Sequence, residues 1–154
     1  MTIEQRLREL GIALPPAAAP VANYVPYVQE GSLIFVAGQV PRGADGKLAY
    51  VGKVGQELSV EDGYASARLC ALNCMAQLQA ALGSLDRVRR IVRVGGFVNC
   101  TDGFTQQPQV INGASDVLVE VFGDKGRHAR AAVGNNALPG NVATEVELVA
   151  AVEP

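Results

Sequence analysis

The chain has no tryptophan, two methionines and one histidine, and aromatic residues make up only 5% of its 154 residues. The single histidine, His128, argues against a zinc centre, which draws on several imidazoles or thiolates. Three cysteines, Cys70, Cys74 and Cys100, are an odd number without metal-ligand spacing, so no disulfide framework is expected and the thiols read as reduced. Cys70 and Cys74 stand four apart among Leu69, Ala71, Leu72 and Met75, where core filling outweighs redox chemistry. Positive charge is also scarce: 13 basic residues face 15 acidic ones for a net charge of −2, which leaves no global field to recruit a polyanion.

The one basic cluster, Arg87, Arg89, Arg90 and Arg93, has no interleaved aromatic rings for base stacking. Alternation puts Arg87, Arg89 and Arg93 on one strand face, which reads as a solvated or interface surface rather than an RNA track. Long apolar runs are missing too. The longest uncharged stretch, Leu10 to Gln29, is broken by Pro15, Pro16, Pro20 and Pro26 and cannot form a membrane helix. With no basic-then-apolar leader, a cytoplasmic location is expected and the sequon Asn99-Cys100-Thr101 carries no weight. Gly43, Gly46, Gly52 and Gly55 lack the lysine-serine spacing of a phosphate loop and read as turns.

What is present fits one ordinary domain, able to bury about 70% of its extended-chain surface. Thr2 and Gln5 form a capping box for a short helix ended by Gly11, and a Pro/Ala-rich extended segment follows to Pro20. Tyr24 to Gln29, Leu33 to Ala37 and Leu48 to Val51 read as strands of an antiparallel meander, with turns at Glu30-Gly31 and Asp45-Gly46. Ser59 with Asp62 caps a long helix to Leu82 that stops at Gly83, with Tyr64, Ala67, Ala71, Met75, Leu78 and Leu82 on its apolar stripe. Arg87 to Asn99 reads as a strand whose Gly95-Gly96 pair marks a bulge or a close backbone approach. A second helix spans about Gln107 to Phe122, followed by two strands, one around Arg130 and one from Val142 to Val152. This order gives an α+β fold: two layers, with both helices on one sheet face and a fairly apolar free face that self-association would cover.

The sharpest chemical feature is Arg130 with Glu145, read as lying on neighbouring C-terminal strands. An arginine fork matches a planar carboxylate and stays charged, while a glutamate can hold or deprotonate a water. On these two strands alone, a structural ion pair at a sheet edge or interface accounts for them as well. His128 falls on the same side as Arg130, and exposure to solvent is the expected state for it.

The runs Asn-Tyr-Val-Pro-Tyr-Val-Gln (23–29) and Ile-Phe-Val-Ala-Gly-Gln-Val-Pro (34–41), the central helix, and the segment from Arg130 to Pro139 closing with Glu-Val-Glu (145–147) together resemble the Rid family. These are the YjgF-like reactive intermediate deaminases, in older usage endoribonuclease L-PSP. The resemblance runs from about residue 23 to 152, so the N-terminal helix and extension (1–22) are set apart from a Rid-like domain (23–154).

It implies a chorismate-mutase-like fold of the bacillus type, with a mixed sheet and two long helices, assembled as a homotrimer with sites at subunit clefts. It also implies hydrolysis of 2-aminoacrylate or 2-imino acids to 2-keto acids and ammonia, with no metal or organic cofactor. Carried over position by position, Arg130 would bind the substrate carboxylate and Glu145 would serve the attacking water. Tyr27 would close the cleft, and Gly38, Asn112 and Ala132 would complete the binding surface. Ala37 and Ala132 stand where many members have a serine and a cysteine or threonine, which points to a divergent branch with a different substrate. The alternatives are a non-catalytic keto-acid-binding trimer and, behind it, an endoribonuclease; no nucleic-acid or membrane partner is expected.

Overall fold

Local signals set both ends of the first two helices. Helix α1, Ile3–Glu9, opens on Thr2, whose hydroxyl accepts from the Gln5 amide while Gln5 reaches back to the Thr2 amide, and Gly11 leaves it at φ +69°. Helix α2, Val60–Leu82, repeats the device with Ser59 and Asp62 and ends on Gly83 at φ +80°, a left-handed cap that a residue with a Cβ resists. Helix α3, Gln107–Phe122, starts without a side-chain cap but with proline in its first turn, where the missing N–H costs nothing. The computed structural model describes residues 1–20 and 22–154.

The strands are β1 (Tyr27–Glu30), β2 (Leu33–Gln39), β3 (Val88–Asn99), β4 (Ala129–Asn135) and β5 (Thr144–Val152), in the sheet order β1-β2-β5-β3-β4. All neighbouring pairs are antiparallel except β3 and β4, which run parallel and are joined through α3. Helices α2 and α3 pack on each other and cover one sheet face, α2 over β5 and α3 over β3. Thr144, Val146, Leu148, Ala150 and Val152 of β5 are buried on that face, which confirms the alternation read from the sequence. Each fully buried aliphatic side chain there contributes about 1.5–3 kcal/mol. Leu7 of α1 joins the same core as Met75, Leu118 and Ile91, so the N-terminal helix shares the core of residues 23–154.

Two expectations need correction, and a third is decided between its alternatives. Leu48–Val51 forms no strand; it contributes isolated bridges, Arg42 to Leu48 and Val51 to Val142, because the glycine-punctuated loop from 43 to 55 turns too often to run alongside a partner. Of the two readings of Gly95-Gly96, a bulge or a close approach, the second is the one observed. Register breaks fall at Val88/Arg90 and Ile91/Arg93, and the two glycines instead mark close approaches: a Cβ on Gly96 would lie 2.6 Å from Ile111 of α3. Those register breaks also disperse the arginines. Arg87 sits in a 3-10 turn with its guanidinium on the Leu82 and Glu153 carbonyls, and Arg90 donates to the Arg127 carbonyl.

Candidate functional site

Strand β5 carries Glu145 and Glu147 outward, on the sheet face that no helix covers. Glu145 stands across from Phe97 of β3, and the irregular stretch of β2 between Val36 and Gln39 brings Gly38 over its carboxyl. The fit is close enough that a Cβ on Gly38 would collide with Glu145 Oε2, so a larger residue here would displace the carboxylate from its observed position. Half-burial pushes the Glu145 carboxyl above its ordinary value, and the charge of Glu147 adds to the rise. Among the described residues, the ion pairs are Arg6–Glu9 and Arg127–Asp124, so Glu145 has no counter-cation in its own chain. It lines a cavity of about 340 Å³ together with Gly38, Arg42, Leu48, Asn73 and the extended segment at Ala18–Pro20.

Arg130 lies elsewhere. Sequence reading put it on a strand beside that of Glu145, but β3 separates β4 from β5. Arg130 pairs with Val94, and Val94 with Leu148, on the helix-covered face; Glu145 pairs with Phe97 on the open one. The guanidinium and the carboxyl of one chain therefore belong to opposite faces of the sheet. Helix α3 holds the guanidinium: Nη1 donates to Asn112 Oδ1 at 2.9 Å and to Ser115 Oγ at 3.0 Å, and Nη2 donates to the Pro108 carbonyl at 3.4 Å. Nε–H and one Nη2–H remain for a ligand, which is the pairing a carboxylate accepts side-on.

His128 is not simply exposed, as the sequence suggested. Its Nδ1 lies 2.6 Å from the Gly126 carbonyl and its Nε2 2.9 Å from Ser115 Oγ. A carbonyl only accepts, so Nδ1 carries the proton, Nε2 accepts from Ser115, and Ser115 Oγ is free to accept from Arg130. Burial lowers the imidazole's pKa and Arg130 adds to the lowering, against the opposing pull of the Gly126 carbonyl.

Known proteins share this fold. The family model of the YjgF/chorismate mutase-like endoribonuclease group matches residues 4–152. The chain belongs to the YjgF/chorismate mutase-like family. Protein TCP17 of Trypanosoma cruzi is 49% identical over 146 residues, covering 94% of this chain and 91% of that protein. A candidate endoribonuclease from Shewanella oneidensis superposes with a TM-score of 0.95 at 41% identity, over 99% of this chain and 100% of that one. A more distant structure, TdcF of E. coli with bound serine, has a TM-score of 0.62 at 25% identity, over 91% and 94% of the two chains.

Within this YjgF-like fold the remaining positions fall into two groups. Asn112 touches Arg130, and Ala132 follows on the same strand face, packed against the core. Gly38 belongs with Glu145. Tyr27 pairs with Val36 and packs partly on the core; it lines a shallow groove with Phe35 and Glu147, and Tyr24 rather than Tyr27 reaches the cavity of Glu145. Sequence reasoning did not single out Arg42 or Asn73. A polar residue inside the buried stretch of α2 was the signal for Asn73, and a lone cation three residues after the site strand was the signal for Arg42. Among the described residues no group of three or more His, Cys, Asp or Glu side chains is placed to hold a metal ion, and no helix is long and apolar enough to cross a membrane.

Proposed function

We propose that this protein hydrolyses reactive enamine and imine acids of the 2-aminoacrylate or 2-imino type to 2-keto acids and ammonia. The observation that carries the reading is Glu145, a half-buried carboxyl with a raised pKa, no counter-cation and a cavity in front of it. A carboxyl shifted toward neutrality is suited to take a proton from water and to return it. With the imine nitrogen protonated, water adds to its carbon as Glu145 accepts a water proton and the C=N electron pair passes to nitrogen; Glu145 then gives that proton to the carbinolamine nitrogen, takes the hydroxyl proton as the C–N bond breaks and the C=O bond forms, and hands it to the departing ammonia, which leaves as ammonium. Arg130, its Nη1 donors engaged by Asn112 and Ser115, offers its free edge to the substrate carboxylate, and holding that group fixes the position of the reacting carbon. TdcF, solved with bound serine, supports a site in this fold that takes a small amino-acid-like carboxylate.

Because Arg130 and Glu145 occupy opposite faces of one sheet, the reading needs a second copy of the chain, so that Arg130 of one copy works with Glu145 of another. The free face supports such an assembly: Val28, Phe35 and Val133 are each about half exposed on it, with Phe97 and Val149 between them. A closed ring of three copies is the proposed form. The family's endoribonuclease label finds less support, since the net charge is −2 and the arginines of β3 are dispersed.

The test is ammonia release from freshly generated 2-imino acids by wild type, Arg130→Ala and Glu145→Ala. Loss of turnover in both variants is the expected result. Wild-type rates in Arg130→Ala would sink the mechanism. Keto-acid binding without turnover by the wild type would leave a binding protein in place of an enzyme.

A further inference from the structure

The cavity in front of Glu145 is larger than a three-carbon acid needs; at about 340 Å³ it falls at the lower end of small-molecule sites, which span about 300–1,000 Å³. Two polar residues in it have no role in the reaction proposed above. Arg42 forms no ion pair among the described residues, and only one of its donors is engaged within the chain, Nη1 on the Gly46 carbonyl at 2.6 Å. It bridges to Leu48 across the loop, so the two side chains share a face, and both residues line the cavity. Asn73 is the second. Only 2% exposed, it donates from Nδ2 to the carbonyls of Val40, Arg42 and Leu69 at 3.3, 2.9 and 3.1 Å, while its Oδ1 accepts nothing.

Three carbonyls around Nδ2 fix which way the amide faces, since the flipped amide would set oxygen against oxygen. The orphan is therefore an acceptor, and a buried acceptor left unpaired is unfavourable until a donor arrives. A second buried amide steadies the lining at Ala18. Gln77, likewise 2% exposed, donates to the Ala18 carbonyl at 2.7 Å and so holds the N-terminal extension over the cavity. Arg42 and Glu145 both line the space, and no ion pair joins them among the described residues.

A ligand end that suits both residues must offer an oxygen to Arg42 and an N–H to Asn73. A carboxylate satisfies the first and turns a lone pair on the second; an aliphatic end satisfies neither. A hydroxyl has a single oxygen for both contacts, whereas a carboxamide presents its acceptor and its donor on separate atoms. We propose that this cavity is a subsite for the carboxamide end of a 2-imino or 2-keto acid, with Arg42 donating to its carbonyl oxygen and Asn73 Oδ1 accepting from its nitrogen. The proposal rests on the deaminase reading for the reacting end of the ligand, but not for the subsite itself.

The test pairs turnover with equilibrium binding, using the full chain. Imines are generated by oxidising asparagine, glutamine, glutamate and norvaline with an amino-acid oxidase, and ammonia release is compared for wild type and Arg42→Met. Binding of 2-oxosuccinamate, of the glutamate-derived 2-oxo acid and of 2-oxopentanoate is measured by calorimetry on the same proteins. The expected result is a preference for the amide-ended acids of roughly tenfold or more in kcat/KM and in Kd, lost in Arg42→Met while the norvaline-derived imine is handled as before. Equal handling of all four imines, or an Arg42→Met protein that weakens amide and aliphatic ligands alike, overturns the subsite and leaves the deaminase standing. Binding of 2-oxosuccinamate that depends on Arg42, with no imine turned over, keeps the subsite and removes the deaminase. Tighter binding of the glutamate-derived 2-oxo acid than of 2-oxosuccinamate also overturns the proposal, in favour of a plain anion site.

Discussion

At the scale of single residues, the single histidine gives a direct view of the Arg130 network. Protonating His128 takes away the acceptor for the Ser115 hydroxyl and sets a second positive charge beside Arg130. Burial and the Arg130 charge hold its pKa below 6.5, so as pH falls the unfolded chain binds the proton first. The folded protein accordingly loses stability as pH drops through 6.5, and the loss levels off below the folded pKa. The chain's one imidazole resonance should titrate with a midpoint below 6.5, and Arg130→Met should move that midpoint upward; an unmoved midpoint would mean that the two groups are not coupled. Glu145 runs the other way. Its folded pKa lies above 4.5, so the native state keeps the proton longer and loses stability as pH rises through 4.5 toward the folded value. Glu145→Gln should therefore melt higher than wild type at pH 7 and level with it below about pH 4. Equal melting temperatures at both pH values would show that the carboxyl is not strained in the folded state.

At the scale of elements, helix ends were legible because capping boxes and terminal glycines act within a few residues, and α2 and α3 run over the residues that their patterns indicated. Sheet order was legible only in part. A strand, a helix and a strand in succession imply a parallel pair joined by a crossover, which assigns β4 to β3. The charge pair drew Arg130 toward Glu145 instead, and only the observed register shows the two on opposite faces. Gly113 shows how a residue that reads as a weakness can be a fit. In the first turns of α3 it looks like a helix breaker, yet its Cα faces the Tyr64 carbonyl of α2 with no room for a Cβ. Gly113→Ala should cost about 1–3 kcal/mol or more by forcing the two helices apart, despite alanine's better helix propensity; a neutral or stabilising effect in urea unfolding would show that the helices part freely. The loops depend on a buried polar tie. Asn99, fully buried, bonds to Gly52, Asn141 and Val142, and its Oδ1 accepts from Lys53 Nζ at 2.8 Å, while that same ammonium reaches the Asn136 carbonyl. Lys53→Met leaves the Asn99 oxygen without its donor, and a loss of about 1–3 kcal/mol is expected, readable in the same urea titration.

At the scale of the whole molecule, the two groups on which the proposed reaction depends lie on opposite faces of the sheet of one chain. One is a guanidinium prepared by α3 at the β4 edge, the other a carboxyl and its cavity on the open face, and no rotation of either side chain carries it through the sheet. If catalysis draws Arg130 from one copy and Glu145 from another, inactive variants should rescue each other. Glu145→Ala keeps the arginine and Arg130→Ala keeps the carboxyl, so a site formed between unlike copies in the right order is intact. Unfolded together and refolded as an equal mixture, the two should recover about a quarter of wild-type turnover, since each site needs one particular copy on each side. Phe35→Glu, which puts a charge on the apolar free face, should prevent the recovery and shift the protein to monomer in sedimentation. A mixture that stays inactive while the variants do co-assemble would place both residues of each working site in one chain, and would require the sheet to admit a contact that its observed register forbids.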